Sequence, residues 1–147
     1  MTRIQFFLTL FWAINAYAAV WGGKPERIAV AIFIPGMLLS SFAVSPLAQR
    51  FGNVEFGILL VDLVMLIAFV IMALYAERFW PLWMSAMQVI QVISHLPIIF
   101  IPELLPQAYG AVIMIWSYPM LILLAIATYR HQQRLKRYGA DKSWSSS

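Results

Sequence analysis

Apolar residues run almost unbroken along this chain, and polar ones fall mainly between five stretches: Ile4–Val20, Ile28–Val44, Val54–Tyr75, Trp80–Ile101 and Tyr109–Tyr129. None of the five alternates with the period of two that marks a half-buried strand. A helix needs about 20 apolar residues to cross the hydrocarbon of a bilayer, with a range of about 17–25. The last three stretches reach that length, and the first two reach it with flanking residues. Backbone exposed to lipid leaves only helices or closed barrels as spanning structures. The pattern predicts an all-α, polytopic membrane bundle of five transmembrane helices over residues 1–129, followed by a basic tail over 130–147.

The connections Trp21–Arg27, Ser45–Asn53, Glu77–Phe79 and Pro102–Ala108 are too short to hold an extramembrane domain. Trp80-Pro81-Leu82-Trp83 reads as a helix start, since proline suits a first turn where its missing N–H costs nothing. Its two tryptophans suit a membrane interface. Pro35 and Pro119 fall inside apolar stretches and predict kinks. Gly36 and Ser40, Ser41 and Ser45, and the alanines Ala13, Ala16 and Ala19 are small residues at spacings that let helices approach closely. Asn15 requires a partner within the bundle.

Composition agrees with the pattern. The 147 residues are 63% hydrophobic and 11% charged, with mean hydropathy +0.81. Soluble domains average about 45–50% apolar and about 25% charged. The absence of cysteine excludes disulfides, thiolate metal sites and cysteine nucleophiles. The net charge of +4 reflects a distribution that reports orientation rather than a nucleic-acid partner. If the tail is cytoplasmic, five spans put Arg130, Arg134, Lys136, Arg137, Lys142, Arg78, Lys24 and Arg27 inside, and only Arg3 and Arg50 outside. A secretory signal at Arg3 to Ala18, which Ala16-Tyr17-Ala18 superficially suggests, would reverse that balance. The expected topology is N-terminus outside and C-terminus cytoplasmic.

Ionisable groups within spans are costly and are functional candidates by default. Asp62 and His95 lie symmetrically about the turn Ala76–Pro81, so an antiparallel hairpin brings them to one depth. Ser85, Gln88, Gln91 and His95 share an arc of about 120° at about 100° per residue, forming one polar stripe. Glu55 precedes Asp62 by one heptad on the same face. The expected seam therefore comprises Asp62, His95, Gln88, Gln91, Ser85 and Glu55. It can serve as a structural hydrogen-bonded pairing, as a proton or ion path, or as the floor of a lipid or quinone pocket rimmed by Trp83, Trp116 and Tyr118.

Catalytic chemistry is poorly represented. There is no H-E-x-x-H, no G-x-S-x-G and no glycine-rich phosphate loop. His131 lies in the tail, so two axial haem ligands do not come from one membrane core. A metal site from Glu55, Asp62, His95 and Glu103 lacks any ligand spacing, and no cofactor is indicated. In the tail, Arg130, Arg134 and Arg137 recur at helical spacing with Lys136 between them, and Gly139 is placed to stop that helix. Such a segment suits anionic headgroups or a soluble partner. The expected role is non-enzymatic: an accessory or structural subunit packing with other membrane proteins or itself.

Arg78-Phe79-Trp80-Pro81-Leu82-Trp83, then His95, Ala108-Tyr109, Trp116-Ser117-Tyr118-Pro119 and the ending Gly139-Ala140-Asp141-Lys142-Ser143-Trp144 resemble a group of small multi-pass proteins of bacterial inner membranes. That resemblance implies bacterial origin and an intact five-span unit. It carries no activity.

Overall fold

The structure is a computed structural model in which residues 2–43, 56–96 and 114–141 are described. Five helices occupy those residues: α1 (Arg3–Trp21), α2 (Lys24–Ala43), α3 (Phe56–Tyr75), α4 (Trp80–Ile93) and α5 (Ser117–Tyr138). Helix α1 packs against α2 and α5, α2 against α3, and α3 against α4, while α4 and α2 also touch α5. The helices thus close on themselves around a core of Phe11, Phe33, Phe69, Met84, Met120, Leu121 and Leu124. Phe33 links three helices, edge-on to Phe11 at 6.4 Å and to Phe69 at 5.2 Å. Such edge-to-face contacts are favourable because a ring edge meets the negative face of its neighbour.

Local chemistry sets the helix ends. Thr2 and Gln5 form a capping box: Thr2 Oγ1 accepts from the Gln5 N–H, and Gln5 Oε1 accepts from the Thr2 N–H. Two donors left over at the helix start are thereby satisfied. Only Gly22 and Gly23 separate α1 from α2, so the expected loop Trp21–Arg27 is largely helix. Pro25 and Glu26 belong to the first turn of α2, where a missing N–H is harmless and a negative charge suits the helix dipole. Pro119 lies in the first turn of α5, and a turn at Trp116 separates α5 from the helical residues Met114 and Ile115 before it. Pro35 is inside α2.

The fourth expected span differs most. Helix α4 stops at Ile93, and Ser94–Leu96 form a tightened turn in which the His95 N–H reaches the Val92 carbonyl at 3.2 Å. Ser94 Oγ donates to the Ile90 carbonyl at 2.8 Å. The following Pro97 disfavours helical geometry at Leu96. His95 therefore sits on the turn that closes α4, and residues 97–101 lie outside the described residues. So do Ser45, 109–113 and the loops 45–53 and 102–108.

Three helices, α1, α2 and α3, are long and apolar enough to cross a membrane. The side chains of α3 are arranged inversely to those of a soluble helix. Leu60, Val64, Ile67, Ile71 and Leu74 point outward, with Leu74 74% exposed, whereas Asp62 is 6% exposed. At Gly36, α2 receives the Met65 side chain of α3 where a Cβ would stand. Asn15 turns back on its own helix, donating to the Phe11 carbonyl at 2.9 Å.

The α1–α2 joint, the α3–α4 turn and the C-terminal end of α5 meet at one end of the bundle. Gln132 of α5 donates to the Trp21 carbonyl, and Arg78 pairs with Asp141. Lys24, Arg27, Arg78 and the basic stretch of α5 share that end. Arg3 begins α1 at the other.

Candidate functional site

Two polar clusters stand out, one near each end of the bundle. The first is built on Asp62, the seventh residue of α3, about 9 Å along the helix from Phe56 at about 1.5 Å per residue. His95 Nε2 lies 2.9 Å from Asp62 Oδ2. Gln88 Nε2 donates to Asp62 Oδ1 at 3.2 Å and to the Asp62 backbone carbonyl at 3.1 Å. Both carboxylate oxygens are thus engaged, one by α4 and one by the turn beyond it. His95 is fully buried. A buried carboxylate needs this degree of satisfaction, since an unmet charge costs far more than a neutral polar group.

The rest of the expected seam divides. Ser85 and Gln91 are buried on the same side of α4. Ser85 Oγ donates to the Pro81 carbonyl of its own helix at 2.9 Å, and Gln91 Oε1 has no hydrogen-bond partner among the described residues. Glu55 and Glu103 lie outside the described residues. Trp83 is exposed on α4, and Tyr118 packs edge-on against Phe7 at 5.2 Å.

The second cluster was not legible in the sequence. Gly139 ends α5 in the left-handed conformation at φ 70°, its N–H bonded to the Leu135 carbonyl at 2.9 Å. The chain then turns so that Asp141 meets three donors. His131 Nδ1 lies 2.5 Å from Asp141 Oδ2, Arg134 Nε donates to Oδ1 at 2.7 Å, and the Arg78 guanidinium Nη2 also donates to Oδ1. The Asp141 side chain is 4% exposed. Glu26 and the His131 ring both come within about 3 Å of where a Cβ on Gly23 would stand. Glu26 is buried, and its Oε2 has no hydrogen-bond partner among the described residues.

This cluster changes the reading of the basic tail. Arg134 is committed to Asp141, whereas Arg130, Lys136 and Arg137 remain exposed. Tyr129, Arg130, Gln133, Arg134, Arg137 and Tyr138 line a shallow groove on α5. Among the described residues no group of three or more histidine or acidic side chains is arranged to hold a metal ion.

Burial alone would raise the pKa of Asp141. The hydrogen bonds from Arg134 and His131 and the charges of Arg134 and Arg78 outweigh it, so the carboxyl is held below its ordinary value of 3.8. A carboxylate depressed in the folded state adds stability above its unfolded value, and loses it as pH falls through the folded value. Melting temperature in detergent is expected to fall between about pH 5 and the depressed value. The fall should be shallower in Asp141→Asn. Identical acid profiles for the two proteins would show that Asp141 contributes nothing.

The chain matches no protein-family model, no curated protein and no solved structure. The Arg78–Trp83 pattern therefore stands as a resemblance of those residues alone.

Proposed function

We propose that this chain is a multi-pass protein of the bacterial inner membrane, crossing it five times with the N-terminus outside and the tail in the cytoplasm. Its role is that of a non-enzymatic accessory or structural subunit, packing against other membrane proteins or a second copy. Support for membrane embedding comes from α3, which turns aliphatic side chains outward and a carboxylate inward. The orientation is supported by the grouping of Lys24, Arg27, Arg78 and the α5 cations at one end, which the positive-inside rule assigns to the cytoplasm. There Arg130, Lys136 and Arg137 face the anionic headgroups of the bilayer.

The observation that carries the structural reading is the double engagement of Asp62. With one oxygen on Gln88 and the other at His95, its carboxylate fixes the register of α3 on α4. Hydrogen bonds between membrane helices contribute about 0.6–2 kcal/mol each and specify which faces meet. The competing reading is a small transporter or proton channel using Asp62 and His95. It draws on Gln91 Oε1 and Asn15 Oδ1, which have no hydrogen-bond partner among the described residues, since buried polar atoms of this kind commonly hold water.

Reconstitution into proteoliposomes separates the two. The structural reading expects no proton or cation flux from the wild-type protein, and lower thermal stability for Asp62→Asn and His95→Ala. Wild-type flux that both variants abolish while staying folded would establish the transport reading instead. Under mild detergent, an accessory subunit should co-purify with a partner, or with itself, at fixed stoichiometry.

A further inference from the structure

We propose that Arg78, His131 and Arg134 form an oxyanion-binding site that the protein's own tail occupies through Asp141. The inference rests on the geometry at the α5 end of the bundle and not on the role assigned to Asp62. Three cationic or hydrogen-bonding groups from two elements converge on one carboxylate: His131 Nδ1 at 2.5 Å on Oδ2, and Arg134 Nε at 2.7 Å with Arg78 on Oδ1. Guanidinium groups offer a planar fork of donors matched to the oxygens of phosphates and carboxylates.

The donors stand on elements separate from the segment that follows Gly139. His131 and Arg134 are on the body of α5, three residues apart and so on one face. Arg78 stands in the turn between α3 and α4. The occupant is attached differently. Asp141 follows Gly139, which is left-handed and has nothing within 4 Å of its Cβ position among the described residues, and Ala140, which is exposed. Its side chain is buried, while the two residues that lead to it pack against little. The carboxylate therefore behaves as a tethered ligand in a site whose walls are formed by the bundle.

The ligand class is a phosphate-type oxyanion, either free or as the headgroup of an anionic lipid. Glu26, beside the His131 ring, limits how much negative charge the site accepts. That favours a singly charged phosphodiester or monobasic phosphate over a multivalent anion. A tethered competitor acts at an effective concentration in the millimolar range or above. Neutralising it should tighten binding of an external oxyanion by about tenfold or more.

The test uses the full chain in mild detergent, comparing wild type, Asp141→Asn and Asp141→Asn/Arg78→Gln. Inorganic phosphate is titrated with 31P line broadening as the readout, with chloride at equal ionic strength as control. Nanodiscs of zwitterionic lipid with and without phosphatidylglycerol form the second arm, read by lipid retained per protein. Phosphate binding that is at least about tenfold tighter in Asp141→Asn and lost in the double variant supports a free oxyanion. Selective retention of phosphatidylglycerol with the same dependence on Arg78 supports a headgroup. No gain over wild type in either arm, or an equal response to chloride, overturns the proposal. If Asp141→Asn does not fold, hydrogen exchange at residues 139–141 of the wild type decides. Phosphate should accelerate it by displacing Asp141, and unchanged exchange at saturating phosphate overturns the site.

Discussion

Asp62→Ala is expected to lower stability in mild detergent by about 2–3 kcal/mol, the upper part of the range for leaving a buried hydrogen-bonding partner unsatisfied. Two magnitudes compete here. The substitution deletes the side-chain bonds to Gln88 Nε2 and His95 Nε2 and leaves the backbone bond from Gln88 in place. At the average for bonds between membrane helices, about 0.6 kcal/mol each, the loss would be about 1 kcal/mol. The larger figure follows because His95 is fully buried and Asp62 nearly so. Water cannot replace the lost partner at such a site. The double variant Asp62→Leu/His95→Leu should recover much of the loss, since replacing both members with apolar groups removes the stranded polar atom. Reversible unfolding in mixed micelles measures all three. A loss below about 0.5 kcal/mol in Asp62→Ala, or a double variant less stable than Asp62→Ala, would show that the contact fixes nothing.

Most of the helical framework could be read from the chain because its signal is period and length. The apolar runs at Ile4, Val54 and Trp80 begin within about two residues of α1, α3 and α4. Helix α2 starts four residues ahead of its apolar run, and the difference arises because Lys24, Glu26 and Arg27 look like a solvated loop. Pro25 followed by an acid is nevertheless a first-turn signature, the same logic that located Trp80-Pro81. The end of α4 departs from the apolar run for an opposite reason. Hydrophobicity continues through Leu96 to Ile101, but Ser94 and the proline at position 97 end the helix whatever the hydropathy does.

The two polar clusters differ in legibility for a physical reason. Asp62 and His95 are anomalous within their own neighbourhoods, and a hairpin is a local structure, so symmetry about the turn was enough to pair them. The contact of Arg78 with Asp141 spans 63 residues, and each group there sits among other polar residues. Gly139 was legible as a helix stop. What the stop accomplishes was not, because the left-handed turn matters through what it returns to. The tail cations accordingly read as one solvated face, whereas Arg134 faces inward on Asp141 and its neighbours Arg130 and Arg137 do not.

The joint between α1 and α2 carries the second large expected effect. Gly22→Ala is expected to destabilise by about 1–3 kcal/mol, the usual range for forcing atoms into a packed site. The backbone of Gly22, at φ −79° and ψ 157°, is open to any residue, so the cost is steric and not conformational. A Cβ there would overlap the Ala18 carbonyl oxygen and stand 2.6 Å from the Glu26 Cβ. The carbonyl belongs to α1 and accepts the Gly22 N–H at 2.9 Å, so it cannot retreat without opening the helix end. Gly23→Ala meets side chains instead, at 2.8 Å from His131 Cε1 and 3.0 Å from Glu26 Oε2. Side chains can move, so this change should cost less in stability but disturb His131 and its bond to Asp141. Thermal unfolding should therefore rank Gly22→Ala below Gly23→Ala. The acid profile should instead single out Gly23→Ala, making it resemble Asp141→Asn. If Gly23→Ala keeps the wild-type acid profile, His131 holds Asp141 without help from the close approach of the two helices at this joint.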